Sequence, residues 1–164
     1  MIDIPISPEL EVTDHIIELI DHPGAELIET FADGKVKLVS VKAKRGGKLV
    51  NRELKSIKND IPDIDTFVPT IYRKNKAIVP DGNTVIKEND QVYFLSAEKN
   101  IDSILKEMRD QTVDSSRIMI VGGGMIGSSL ASSLENKYKV KVLETSLERC
   151  EMLSKDLNLS LIHI

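Results

Sequence analysis

One stretch constrains this chain more than any other: residues 117–144 run strand, glycine turn, helix, strand, acid. Ile118, Met119, Ile120 and Val121 form an apolar run, and Gly122-Gly123-Gly124-Met125-Ile126-Gly127 follows it directly. Two strands joined through a helix pair in parallel, so a parallel sheet is expected here. Gly122 permits the tight turn, Gly124 leaves the backbone open to close approach, and Gly127 lets the helix pack on the strand. The free amides of the first helical turn, around Met125 and Ile126, carry the positive end of the helix dipole and suit phosphate. Glu144 stands 20 residues past Gly124. A carboxylate there accepts hydrogen bonds from ribose hydroxyls, or caps the next helix. Thr145 and Ser146 follow where a 2′-phosphate binder carries arginine, so NAD(H) or ATP/ADP is expected over NADP(H). Arg149 is placed to reach a phosphate or to form a solvated salt bridge. A nucleotide-free scaffold of the same fold is the alternative reading.

A complete doubly wound domain needs strands beyond the third, and its crevice lies between the first and fourth. This chain offers βαβα and a third strand at 159–164, ending on Leu161-Ile162-His163-Ile164. The end reads as a truncation, with the crevice half built.

Residues 7–109 have a different texture. Ser7 and Pro8 open a helix over 8–21 with Leu10, Thr13, Ile16, Ile17 and Ile20 on one face. His22-Pro23-Gly24 stops it. Apolar and polar residues alternate over 27–31 and 36–41 around Asp33-Gly34, a hairpin signal. A short helix over 51–58 should turn Leu54 and Ile57 inward. The run 66–72 alternates Phe67, Pro69 and Ile71 against Thr66, Val68, Thr70 and Tyr72. Residues 80–83 and 88–90 are turns, 92–95 a short buried strand, and 100–109 a helix burying Ile101, Ile104, Leu105 and Met108. The polar stretch 110–116 reads as a linker. The pattern before it is α+β; after it, α/β.

The 164 residues carry a net charge of −4, so no basic excess is available to neutralise phosphates, and nucleic acid is not an expected partner. A single cysteine, Cys150, excludes an internal disulfide, and it reads as packing. The N-terminus has no secretory pattern, and no apolar run has the length to span a bilayer. His15, His22 and His163 lack metal-ligand spacing. Glu53, Asp60, Asp63 and Asp65 form an acidic surface without calcium-loop spacing. Asp81, Glu88 and Asp90 read as turn acids. Lys42, Lys44, Arg45 and Lys48 form a basic loop, and Arg73, Lys74 and Lys76 a hairpin tip. No nucleophile–base pair is visible, so no catalytic residue is assigned.

Several segments together carry a family likeness. His22-Pro23-Gly24-Ala25, Phe31-Ala32-Asp33-Gly34-Lys35-Val36, Gly47-Lys48-Leu49-Val50, Pro62-Asp63-Ile64-Asp65-Thr66, Gly82-Asn83-Thr84-Val85-Ile86, Asp90-Gln91-Val92-Tyr93-Phe94 and the glycine turn occur in this order. The chain resembles the RCK/KTN family in its TrkA form, the cytoplasmic nucleotide-binding subunits of bacterial Trk potassium uptake systems. The resemblance implies a connecting helical segment over 1–25 and a small RCK C-type (TrkA-C) α+β domain over 26–110. It further implies a linker over 111–116 and the beginning (βαβαβ) of a Rossmann-like TrkA-N domain over 117–164. It implies regulation rather than catalysis: NAD(H) or ATP/ADP bound at Gly122, Gly124, Met125, Ile126, Gly127, Glu144 and Arg149 biases a homo-oligomer, dimer or tetramer. That oligomer, peripheral to the inner face of the membrane, gates a TrkH/TrkG-type potassium-conducting subunit. Apolar positions on the 8–21 helix and the 66–95 strands would serve pairing. Small-ligand or cation sensing by 26–110 is an added role that such domains carry elsewhere. A fragment of an NAD-dependent oxidoreductase is the competing reading, and it would need an acid–base group that 26–110 does not offer.

Overall fold

The computed structural model describes residues 7–62, 64–109, 116–157 and 160–163. The chain forms two compact units, Leu19–Thr112 and Val113–Ile164 together with Met1–Glu18. Of the expected linker, 111–115 lie outside the described residues, as does Asp63 of the acidic surface.

Helix α1 (Pro8–Asp21) begins where expected. Ser7 caps it through its carbonyl, which accepts the Leu10 and Glu11 amides at 3.1 Å each. Its hydroxyl instead donates to Glu9 Oε2. Thr13 is buried and donates to the Glu9 carbonyl at 2.7 Å, but Leu10 is 56% exposed and leaves the expected apolar face.

Strands β1 (Ala25–Phe31) and β2 (Val36–Lys42) form the expected hairpin. Ala32, Asp33 and Gly34 turn it with positive φ, and turn residues of this hand match the right-handed strand twist. With β3 (Thr66–Arg73), β4 (Lys76–Ile78) and β5 (Gln91–Ala97) they make an antiparallel sheet ordered β1-β2-β5-β3-β4. β5 is longer than the expected 92–95 because it pairs on both edges. Its Val92 and Phe94 pack beside Val41 and Val39 of β2 and Ile71 of β3, all buried. The α-helical turn α2 (Ile57–Asp60) and helix α3 (Ile101–Glu107) cover this face. Ile101, Ile104, Leu105 and Met108 are buried as their spacing demands.

Three expectations are corrected here. The strict alternation of 66–72 fails at Pro69: Phe67 pairs with Leu95 and Thr70 with Tyr93, so Val68 and Pro69 together oppose Phe94. Proline cannot donate to the ladder, and the bulge it accompanies flips the phase. Val68 and Ile71 point inward, while Phe67 is 64% exposed. The helix expected over 51–58 begins only at Leu54, as a 3₁₀ turn followed by α2. Asn51, with φ +65°, is not helical. The amides of Asn51, Leu54 and Lys55 bond to Ile86, Thr84 and Gly82, so this segment lies along 82–86 instead.

The third correction concerns charge. Asp90 is no solvated turn acid: it is 1% exposed and forms a two-pronged ion pair with Arg73, Nε to Oδ1 at 2.8 Å and Nη2 to Oδ2 at 2.7 Å. The Lys87 amide adds a third bond to Asp90, and Arg73 also reaches the Val85 carbonyl. Burial alone would raise the Asp90 carboxyl pKa, but the guanidinium and the amide outweigh it and hold it below the usual range. The basic loop has a structural task as well. Amides of Lys44 and Leu49 cap the carbonyls of Met108 and Glu107, and Lys48 Nζ lies 2.9 Å from Glu107 Oε1. Gly47 fits because a Cβ there would stand 2.5 Å from the Met108 carbonyl.

The second unit runs β6 (Arg117–Val121), α4 (Met125–Leu134), β7 (Lys139–Glu144), α5 (Leu147–Asp156) and β8 (Ser160–His163). The three strands are parallel, ordered β6-β7-β8, with Ile118 beside Val140 and Ile120 beside Val142. Leu130, Ala131 and Leu134 of α4 and Cys150 and Leu153 of α5 are buried. The molecule is thus an antiparallel α+β unit followed by the opening of a Rossmann-like parallel sheet.

Candidate functional site

The site grows from the C-terminal end of β6. The backbone leaves Val121 and turns at Gly122 with φ +101°, a conformation that strains any L side chain. The Gly122 amide donates to the Leu143 carbonyl at 2.8 Å, so the turn stays joined to β7. Gly123 is buried, and its amide donates to Glu144 Oε2 at 2.6 Å.

The remaining two glycines have opposite surroundings. A Cβ on Gly127 would lie 1.9 Å from the Gly122 carbonyl oxygen, so α4 can approach the turn only because that position is bare. Gly124 caps α4 with φ −71° and ψ −168°, which any residue adopts, and a Cβ there would meet nothing within 4 Å. Neither packing nor backbone conformation asks for glycine at 124, and its bareness keeps open space in front of the helix. The first α4 bond runs from the Ser128 amide to the Gly124 carbonyl at 2.8 Å. The amides of Met125, Ile126 and Gly127 therefore precede the helical ladder at the positive end of the dipole. No acidic residue sits in this first turn. Met125 is exposed and Ile126 half-buried.

Glu144 closes the other side. Its side chain is turned inward and is 5% exposed. Oε1 accepts the Ser146 amide at 2.8 Å and the Thr145 hydroxyl at 3.2 Å, while Oε2 takes Gly123. The Ser146 and Gly123 amides outweigh the effect of burial and lower its pKa to about 2. Both carboxylate oxygens are thus engaged by the protein's own donors, which fill three of the roughly four acceptor positions an ionised carboxylate has. Arg149 lies on the first turn of α5, its amide 3.4 Å from the Ser146 hydroxyl and its side chain exposed.

Sequence reasoning places Gly122, Gly124, Met125, Ile126, Gly127 and Glu144 around one turn, and the structure brings these six together. It misses Gly123 as the anchor for Glu144, and Ser146 as the α5 cap. A serine before an amphipathic run is a readable cap signal; the Gly123 bond has no such signal. Elsewhere, His22 Nδ1 stands 2.8 Å from Asp102 Oδ1, Cys150 is buried under the Glu144 carbonyl, and Ser128 donates to the Met125 carbonyl. Among the described residues, no group of three or more His, Cys, Asp or Glu is placed to hold a metal ion, and no helix is long and apolar enough to cross a membrane.

Known proteins share this arrangement of segments. The TrkA-C domain model matches residues 38–109, and the TrkA-N domain model matches 118–164. The Trk system potassium uptake protein TrkA of Halomonas elongata is 47% identical over 161 residues, covering 98% of this chain and 35% of the relative. That of Vibrio alginolyticus is 43% identical over 161 residues, covering 98% and 35% respectively. The solved structure "GsuK Channel" has a TM-score of 0.49 and 12% identity, covering 85% of this chain and 25% of that one. The chain spans about a third of the length of the curated relatives it matches.

Proposed function

The chain belongs to the TrkA family, and on that premise we propose that it is a non-catalytic regulatory part of a potassium uptake system, binding NAD(H) or ATP/ADP at the glycine turn. The observation that carries this reading is Gly124: a bare position that the fold does not need, in front of three helix-start amides that a pyrophosphate can take. In this reading Gly122 shapes the turn, the Gly124–Gly127 backbone holds the phosphates, Glu144 accepts from ribose hydroxyls and Arg149 reaches a phosphate oxygen. Residues 26–110 act as the C-type domain and 117–164 as part of the nucleotide-binding one, joined through 111–116.

The proposed mechanism is a population shift. A homo-oligomer, dimer or tetramer, at the cytoplasmic face of the membrane has two arrangements, and a nucleotide biases them only through its different affinity for each. A TrkH/TrkG-type subunit reads that balance as open or closed. The test is titration calorimetry of NADH, NAD and ATP into the full-length protein and its Gly124→Val variant. Valine fits the fold at 124 but occupies the ligand's approach, so heat at this site should vanish while unfolding is unchanged. Undiminished binding at this site in the variant would overturn the reading.

A further inference from the structure

The turn that joins α1 to β1 is held to α3 at two points. His22 Nδ1 stands 2.8 Å from Asp102 Oδ1, with the His22 side chain 16% exposed. Gly24, with φ +99°, lies against Arg109: a Cβ on it would stand 2.7 Å from Nη1 and 3.1 Å from Cδ of that side chain. Asp102 belongs to the first turn of α3, and Arg109 follows the Met108 cap at its other end. The two contacts therefore bracket the helix, about 10 Å apart along its axis. One such contact is a pivot, whereas two resist rotation.

Both sides of this joint are themselves fixed. α3 buries Ile101, Ile104, Leu105 and Met108, and the carbonyls of Glu107 and Met108 take the amides of Leu49 and Lys44. On the α1 side, Leu19 packs against the core cluster that contains those four residues. The turn is closed by the Ala25 amide on the His22 carbonyl at 3.1 Å, and the Pro23 ring fixes its own φ.

The position of this corner in the chain gives it a task. The chain passes between the two compact units twice, inside α1 after Glu18 and again after Thr112. The first passage lies one helical turn before His22, and the second comes shortly after Arg109. α1 is one continuous helix across the first passage, held by its own backbone bonds, so a change in its direction is carried to His22. We propose that the His22–Asp102 and Gly24–Arg109 contacts form a clamp that fixes the direction in which α1 leaves the antiparallel unit. A reorientation of the nucleotide-binding unit is then passed to α3 and its sheet instead of being absorbed at the joint. The clamp stands on this geometry; its regulatory use rests on the nucleotide-binding reading given above.

The experiment measures distances by electron–electron double resonance in the full-length protein. Spin labels replace two exposed residues, Glu11 on α1 and Lys35 in the β1–β2 turn. No other cysteine is present, and dilution with unlabelled protein restricts the reading to pairs within one chain. The intact clamp should give one narrow distribution without ligand. Asp102→Ala and Arg109→Ala each remove one contact, and each should raise the share of displaced distances about two- to fivefold, as for a partly exposed contact. The double variant should multiply the two effects. Asp102 is 61% exposed and Arg109 half-buried, so neither truncation empties the core. An unchanged distribution in the folded double variant overturns the clamp.

NADH is then added to the same proteins and hydrogen exchange is followed. In the wild type, protection of 122–130 should be accompanied by a change over 36–49. In the double variant the protection should remain and the change over 36–49 should be lost. A wild type that is protected at 122–130 but unmoved at 36–49 overturns the regulatory use. No protection of 122–130 removes the nucleotide reading and the regulatory use with it, and the unliganded distances alone then decide the clamp.

Discussion

The two units of this chain use polar chemistry in opposite ways. In the antiparallel unit, charges and loop amides are consumed internally: Arg73 closes on buried Asp90, and the 44–49 loop caps α3. Its sheet face is sealed by Phe94, Ile71, Val92 and Ile86, none of them accessible. The parallel unit keeps less to itself. Ahead of α4, a Cβ on Gly124 would meet nothing within 4 Å. One unit uses its donors to hold its shape, and the other leaves the amides of Met125, Ile126 and Gly127 ahead of its first helical bond. Even the glycines divide this way: Gly47 and Gly127 stand against backbone, and Gly124 stands against nothing.

This contrast fails if damage in one unit spreads to the other, so each test reads peptides from 25–109 and 117–157 separately by denaturant-dependent hydrogen exchange. Asp90→Ala should have the largest effect, because it leaves Arg73 without its charged partner at a buried site. About 3–5 kcal/mol should be lost from the antiparallel unit, with peptides from 117–157 unmoved. Gly127→Ala comes next. The added methyl collides with the Gly122 carbonyl, forcing α4 off the turn at a cost of about 1–3 kcal/mol to the parallel unit. Equal opening of both units in either variant would show that they do not stand separately.

Gly124→Val probes the space ahead of α4 directly. It should change stability by less than about 0.5 kcal/mol, yet abolish nucleotide protection of 122–130. A variant that is both stable and still protected would remove Gly124 from the ligand's path. The smallest effect shows only in acid. The Glu144 carboxyl falls from an ordinary 4.5 to about 2 in the folded chain. The unfolded state therefore takes up protons first, and the contribution is complete above about 4.5 and lost as pH falls toward 2. Asp90 is also held below its ordinary value, so the antiparallel unit likewise loses this contribution only in acid. Glu144→Gln should flatten the acid dependence of the parallel unit alone; a parallel unit that keeps the wild-type profile would mean that Glu144 does not carry it.

Local pattern carries much of this architecture. The glycine turn, the hairpin at Asp33-Gly34 and the four buried positions around α3 follow from spacing within a few residues, and backbone sterics or helical period suffices to read them. Alternation on β3 fails at Pro69 because strand phase is set by the partner strand as well as by the sequence. Arg73 and Asp90, both readable only as surface charges, meet across 17 residues; Lys48 and Glu107 meet across 59.

Residue order alone is enough to say where most strands and helices lie, that the second sheet is parallel, and that a bare helix start suited to phosphate follows β6. Which polar groups remain available there is a matter of packing. Gly123 and Glu144 are 21 residues apart, and nothing in the spacing says whether that carboxylate turns toward a ligand or toward its own backbone. Buried donors must find acceptors, and which acceptor each one finds depends on how α4, β7 and α5 close around it.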